Sequence, residues 1–264
     1  MNSLSDTSLT FIGAGNVAWS LIHHFQQVGV HITSVISREL SKAQTFTEAY
    51  DISEAIALSQ VKKDHLQADY LLLTVPDQAI EEVTAALPQS EATLVHCSGS
   101  TPISALSDWQ GPTAVWYPLQ IFTHHKISHM EGIPIMLEGE ETVMPKLEAI
   151  AQAVSGNVQY INSEERLRIH AGGVFACNFP NHLFRIAADM VPNQVEEGFN
   201  IYKPLIMELL KKAFEDGPEL SQTGPAIRAD HPTLEKHIEM LSKHPDWQQL
   251  YKDMSNMIRP DLDL

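Results

Sequence analysis

Along the first part of the chain, apolar residues come in short runs rich in β-branched side chains. Between these runs, apolar positions recur every three or four residues. The short runs predict strands over Leu9–Ile12, Ile32–Ser37, Tyr70–Val75, Thr93–His96, Thr113–Trp116, Ile133–Leu137 and Val158–Ile161. The intervening stretches predict helices, among them Asn16–Val28, closed by Gly29, and Gln78–Leu87, closed before Pro88. Such alternation is the rhythm of βαβ units around a parallel sheet. From Ser163 onward it stops, and helical periodicity alone remains over Glu164–Met190, Val195–Phe214, Thr233–Leu241 and Trp247–Ile258. The chain therefore reads as an α/β domain with a doubly wound, mostly parallel sheet over residues 1–162, followed by an all-α domain over residues 163–264. Asn162 and Ser163 form the join, and no repeat or Gly/Ser linker interrupts it.

Composition narrows the choice of partners. Of the 264 residues, 44% are hydrophobic, enough to fill packed cores. With 33 acidic against 17 basic residues the net charge is −16, a surface that repels phosphate backbones and disfavours nucleic acid as a partner. Cys97 and Cys177 are too few for a disulfide framework and too far apart for a zinc site. Neither a leader pattern nor an apolar run long enough for a bilayer is present. These features set the expectation of a cytoplasmic protein with a small-molecule substrate and no membrane partner. His124 and His125 read as solvent-exposed and with His129 make a histidine-rich stretch, and without a carboxylate pattern nearby no metal is expected there.

Chemistry enters where Leu9–Ile12 runs into Gly13-Ala14-Gly15-Asn16-Val17-Ala18, a GxGxxA pattern between a predicted strand and a predicted helix. In a dinucleotide site Gly13 permits the tight turn, Gly15 leaves room for a pyrophosphate and Ala18 lets the helix pack closely. The helix N-terminus offers free N–H groups to the anion. This context points to a Rossmann domain. A site for NAD would place an acid at the end of the second strand, to bind the ribose 2′-hydroxyl. Here that position reads Ser37-Arg38, a hydroxyl and a forked cation suited to a 2′-phosphate, although Glu39 follows directly. The expected cofactor is therefore NADP(H).

The remaining predicted strands end in groups of residues that should border the same crevice. Val75 and Pro76 are positioned to pack on the cofactor, and Asp77 either borders it or caps the next helix. Ser98 and Gly99, in His96-Cys97-Ser98-Gly99-Ser100, suit close approach of a nicotinamide or a substrate carboxylate; the same residues would serve as a cap for a helix opening at Pro102. Cys97, with no activating partner in the sequence, reads as a small core residue. Tyr117-Pro118-Leu119-Gln120-Ile121-Phe122 follows the next strand, which makes Gln120 a candidate for substrate binding.

In the helical half Asn178 stands in a stretch of small and apolar residues, Ala171 to Phe179, where an amide serves either packing or a substrate. Pro180 should kink or interrupt this helix. Arg228 and Asp230, after the Thr223-Gly224-Pro225 turn, either pair at the surface or place a guanidinium on an anionic substrate. The apolar helical faces exceed what the flank of the sheet would cover, so a homodimer through the helical domain is expected.

Taken together, Gly13-Ala14-Gly15-Asn16-Val17, Val75-Pro76-Asp77, His96-Cys97-Ser98-Gly99-Ser100, Tyr117-Pro118-Leu119-Gln120-Ile121-Phe122, Asn178 and Thr223 to Asp230 resemble the NADP-linked reductases built like pyrroline-5-carboxylate reductase and the β-hydroxyacid dehydrogenases. More closely, the chain resembles a Rossmann-like family within that group that has a helical C-terminal domain of unknown function. The resemblance implies a second domain of the 6-phosphogluconate-dehydrogenase C-terminal type and a reductase activity, and it names no substrate. At the position before Pro118 that family usually carries histidine, where this chain has Tyr117. A phenol titrates near pH ~10 and an imidazole near ~6.5, so the chemistry at this position departs from the family's.

Related dehydrogenases place a lysine and an asparagine on the first long helix of the second domain. Here that helix carries His170 and Asn178, about 12 Å apart along a helix axis, and no lysine. Asn181 or His182 is a closer neighbour of Asn178, and Asn181 joins Gln120 and Arg228 as a substrate candidate. His96, Tyr117 and His170 remain alternative proton donors. Two functional readings follow: an NADP(H)-dependent reductase of a small, anionic carbonyl or imine, or a non-catalytic NADP(H)-binding sensor or assembly protein. In either reading the Ser98-Gly99 turn, Gln120, Asn178 and Arg228 are expected to line one cleft.

Overall fold

The computed structural model describes residues 4–123 and 126–264, so the expectation for His124 and His125 lies outside the described residues. The chain forms two compact units, Met1–Ala176 and Cys177–Leu264.

The first unit is built on an eight-stranded sheet in the order β3-β2-β1-β4-β5-β6-β7-β8. Its strands are β1 (Ser8–Ile12), β2 (His31–Ser37), β3 (Glu54–Ala57), β4 (Tyr70–Leu73), β5 (Thr93–His96), β6 (Thr113–Pro118), β7 (Ile135–Gly139) and β8 (Val158–Tyr160). All neighbours pair in parallel except β6 and β7. The chain winds outward from β1 to β3 and then returns to β4 on the other side of β1. This is the doubly wound Rossmann arrangement, with its topological switch between β1 and β4.

The sheet is buried on both faces, which is why β4 reads as an unbroken apolar run and its neighbours β1 and β5 as largely apolar ones. Leu9, Phe11, Tyr70, Leu72 and Val95 point into one core cluster, and Ile12, Ile36, Leu71, Leu73 and Leu94 into the other. Helices α1 (Asn16–Gln27), α2 (Leu40–Tyr50) and α4 (Met144–Val154) cover the first face. There Phe25 meets Trp116 edge-on at 5.1 Å. The short α3 (Ile80–Ala86), with Leu106 and Trp109, covers the second. Strand β3, which the apolar pattern did not reveal, is a short edge strand whose first residue, Glu54, is exposed.

Several predicted helices are shorter than their periodicity suggested. The helix expected over Glu164–Met190 comprises α5 (Ser163–Gly173), a wide π-helical turn at Val174–Asn178, and α6 (Phe179–Asp189). Pro180 explains the break: it has no N–H for the carbonyl one turn back, and its ring crowds that carbonyl. The helix expected from Val195 begins as α7 only at Lys203 (Lys203–Glu215), and the one expected from Pro102 is reduced to a 3-10 turn, Ile103–Leu106. The expected join, Asn162–Ser163, falls at the start of α5, where Asn162 caps the helix in a reciprocal pair with Glu165. The first unit continues past it to Ala176.

The second unit holds α6, α7, α8 (His231–Met240) and α9 (Pro245–Ile258), with a small buried cluster of Ala226, Leu234 and Leu262 packed by residues of α8 and α9. Helices α6 and α7 bury no residue. Among the described residues no helix is long and apolar enough to cross a membrane.

Candidate active site

Strand β1 ends against β2 and β4, and the chain must leave the sheet between them. Gly13 donates its N–H to the Ile36 carbonyl at 2.8 Å, and its φ of +119° lies where side chains are strained. A Cβ on Gly13 would stand 2.7 Å from the carbonyl carbon of Thr74. Thr74 closes the turn by donating its N–H to Ile12 and its hydroxyl to Gly13. Two residues on, a Cβ on Gly15 would meet nothing nearer than 3.8 Å, so space stands open at the start of α1. That open cradle at a helix N-terminus is what a pyrophosphate requires.

Above it lies a cavity of about 210 Å³, lined by Gly13, Ala14, Gly15, Ser37, Arg38, Lys42, Val75 and Pro76. Asn16 faces an adjoining hollow, while Val17 packs against the core. Lys42, on the first turn of α2, was not singled out from sequence; its signal is a cation one helical turn after Arg38. It pairs with Glu39 at 2.7 Å, so the acid that follows Arg38 is already matched and the lining keeps a positive balance. The residues present therefore fit a dinucleotide bearing a 2′-phosphate.

Asp77 does not cap a helix: its exposed carboxylate accepts from the Ser100 hydroxyl at 2.6 Å, because the chain makes a 3-10 turn before α3 starts. This bond joins the rim after β4 to the turn after β5. In that turn the Ser98 hydroxyl accepts from the N–H groups of Ser100 and Thr101 and donates to the Thr101 hydroxyl. Gly99 has no room for a side chain, since a Cβ there would lie 2.5 Å from His170 Nδ1 and 2.7 Å from the Tyr117 ring. Over it, the Tyr117 hydroxyl and His170 Nδ1 are hydrogen-bonded at 3.0 Å. Burial raises the Tyr117 pKa, the Asp77 carboxylate adds to the rise, and the Arg166 guanidinium opposes it. Cys97 packs against the core and burial pushes its thiol pKa up, in keeping with an inert side chain.

Beneath these rings lies a buried polar network absent from the sequence-based candidates. Arg166, on α5, is 1% exposed and pairs with Glu138 of β7. It also donates to the Thr101 carbonyl at 2.6 Å, while the Ser163 hydroxyl bonds Glu138 and accepts from Ile103 N–H. A lone arginine on a helix carries no pattern that separates it from a solvated charge.

The other candidates are placed differently. Gln120 is half-buried and turned to its own loop, donating to the His129 carbonyl at 2.6 Å. Asn178 and Asn181, in the second unit, are exposed. Arg228 is 62% exposed with Asp230 at 3.9 Å, and Asp230 caps α8. Among the described residues no group of histidine, cysteine and carboxylate side chains could hold a metal ion.

His96, wholly buried, accepts from Ser98 N–H at Nδ1. Burial first, then the Arg166 charge, lowers its pKa to about 4, against smaller opposing effects of Asp77 and the Pro102 backbone. It is therefore neutral at pH ~7, with Nδ1 committed to the turn. An unfolded imidazole titrates near ~6.5, so below that pH the unfolded chain binds more protons and stability falls as pH drops toward 4, by on the order of 3 kcal/mol in all. His96→Asn keeps an acceptor for Ser98 and removes the titration. Urea unfolding of the variant should lose less stability than the wild type between pH ~7 and ~4.5; parallel profiles would refute the assignment.

The family "NADP oxidoreductase coenzyme F420-dependent" matches residues 8–98, and "Domain of unknown function (DUF2520)" matches residues 133–258. No curated protein sequence matches the chain. The structure is similar to that of a "putative NADP oxidoreductase" from Bacteroides fragilis, with 30% identity, a TM-score of 0.86, and coverage of 98% of this chain and 100% of the other. A protein from Thermotoga maritima is 25% identical, with a TM-score of 0.69 and coverage of 97% and 98%. A pyrroline-5-carboxylate reductase from Coxiella burnetii, 17% identical with a TM-score of 0.54 and 97% coverage of each chain, shares the fold. The resemblance drawn from the sequence holds: the chain belongs to the NADP oxidoreductase family in which a Rossmann unit precedes the DUF2520 region.

Proposed function

We propose that this protein is an NADP(H)-dependent reductase of a small, anionic carbonyl or imine compound, with Tyr117 and His170 handling the proton. The observation that carries the reading is the 3.0 Å bond between the Tyr117 hydroxyl and His170 Nδ1, at the carboxyl ends of β5 and β6, on a turn tied through Ser100 and Asp77 to the rim of the glycine crevice. NADP(H), when bound, supplies the hydride. Gly13, Ala14, Gly15, Asn16 and Val17 form the turn that receives its pyrophosphate, and Ser37, Arg38 and Lys42 its 2′-phosphate. Val75, Pro76, Asp77, Ser98 and Gly99 border the crevice at the nicotinamide end.

Reduction of a carbonyl or imine leaves its heteroatom in need of a proton. Burial keeps the Tyr117 hydroxyl protonated at neutral pH, the form a donor must have. Tyr117 gives that proton, and the half-buried His170 returns one from solvent. An imine substrate is supported by the fold shared with a pyrroline-5-carboxylate reductase. Gln120, Asn178, Asn181 and Arg228 are retained as substrate contacts on their residue types, Arg228 for an anionic group. A homodimer through the helical unit is supported by the exposed apolar residues of α7, Leu205 at 69% and Phe214 at 88%. A helix of this length needs its apolar side covered to persist.

Turnover is tested by following nicotinamide absorbance while NADPH is offered 2-oxo acids and cyclic imine carboxylates. Tyr117→Phe should lower kcat by roughly 10²-fold and leave NADPH affinity intact. Saturable binding with no turnover for any substrate would overturn the reductase reading and favour a sensor. By calorimetry, NADPH should bind more tightly than NADH, and Arg38→Ala should cost about 1.5–3 kcal/mol for NADPH alone. Equal affinities would remove the 2′-phosphate assignment. Light scattering should show a dimer that Phe214→Glu dissociates, and a monomeric wild type would refute that interface.

A further inference from the structure

Helices are ordinarily held to a domain by a stripe of apolar side chains. Helix α5 has none: its only buried residue is Arg166. The charge is enclosed by partners from separate parts of the fold, namely Glu138 on β7, the Thr101 carbonyl in the turn after β5, and Ser163 on its own first turn at 3.3 Å. Ser163 adds a second link between the same parts, because its hydroxyl bonds Glu138 at 2.8 Å and receives the N–H of Ile103 at 3.0 Å. The remaining guanidinium nitrogen, Nε, is buried with no hydrogen-bond partner. A cation is costly in such a place unless it is well paired, and an apolar residue would dock the helix as firmly. What the guanidinium supplies, and an apolar residue does not, is direction: its planar fork fixes the helix relative to both the turn and the strand.

His170 stands one helical turn after Arg166, on the same side of α5. Its partner Tyr117 belongs to β6, and Gly99, over which both rings lie, belongs to the turn that Arg166 holds through Thr101. The turn, the helix and β7, which pairs with β6 along Tyr117, thus meet at one guanidinium, one turn away from the Tyr117–His170 bond.

We propose that Arg166, clamped by Glu138, is the positioning residue that brings His170 Nδ1 onto the Tyr117 hydroxyl. This rests on the reading of Tyr117 and His170 as the proton-handling pair, while the positioning itself is measurable without turnover. Arg166→Lys keeps the charge and loses the fork, so it cannot hold Glu138 and the Thr101 carbonyl together.

The readout is the side-chain NMR resonance of His170 in the full-length protein, assigned by its loss in His170→Gln, with circular dichroism and NADPH binding as controls for folding. Tyr117→Phe defines where the resonance lies when the bond is absent. In Arg166→Lys the resonance should move to that position with NADPH affinity unchanged. A folded Arg166→Lys protein whose His170 resonance stays at the wild-type position would overturn the proposal. If the lysine variant does not fold, Glu138→Gln, which removes the charge that clamps Arg166 and keeps a side chain of the same shape, decides by the same readout: a displaced resonance supports the clamp and an unmoved one refutes it. Should Tyr117→Phe itself leave the resonance in place, the bond does not form in solution, and both this inference and the catalytic reading fail. Should the resonances behave as expected while no substrate is turned over, the catalytic reading alone fails.

Discussion

The crevice of the first unit depends on the passage of the chain between Ile36 and Thr74 at the end of β1. With β2 on one side and β4 on the other, the backbone of residue 13 is pressed against that of residue 74, and only a residue without a side chain passes. This passage sets the start of α1, opens the space at Gly15 and faces it with the ends of β2 and β4. The crevice is thus a by-product of sheet order: it lies where the winding direction reverses, as the geometry of doubly wound sheets requires. Its cation-bearing rim comes from the other neighbour, β2, through Ser37 and Arg38.

Much of this was legible beforehand because it depends on backbone and on short-range pattern. A strand buried on both faces is mostly apolar, and a turn at positive φ whose Cβ would meet backbone must be glycine, so β4, most of β1 and β5, and Gly13 are written in residue type. Strand β3 escaped notice because it has few residues and an exposed edge, and so carries too little apolar signal. The interruption of the helix at Val174–Asn178 was signalled by Pro180, but its form was not, since a proline is compatible with a kink, a break or a widened turn. Lys42 and Arg166 were missed for a common reason. Lys42 matters through the fold that brings its exposed side chain to the crevice rim, and Arg166 through partners distant in sequence, since no single-residue property distinguishes a buried paired cation from an exposed one.

The candidates from sequence also separate by what surrounds them. His96, Tyr117 and His170 were equal as proton donors when only residue type was considered. Enclosure in the core leaves His96 neutral and committed to the Ser98 backbone, whereas Tyr117 and His170 meet each other at a surface that solvent reaches. Asp77 moved from helix cap to bridge for a comparable reason: the 3-10 turn that begins at Asp77 orients its carboxylate across to Ser100. In both cases the local chemistry follows from the shape of a turn.

Gly99 carries a consequence for how this chain can vary. Because its missing side chain is the floor on which the Tyr117 and His170 rings rest, positions 99, 117 and 170 share one volume. A methyl group gained at 99 has to be matched by smaller or displaced side chains at the other positions, and a reduction there leaves a gap that a larger residue at 99 could fill. Among descendants of this sequence the three positions should therefore drift together or stay fixed together, a covariation that links a turn, a strand and a helix widely separated in the chain.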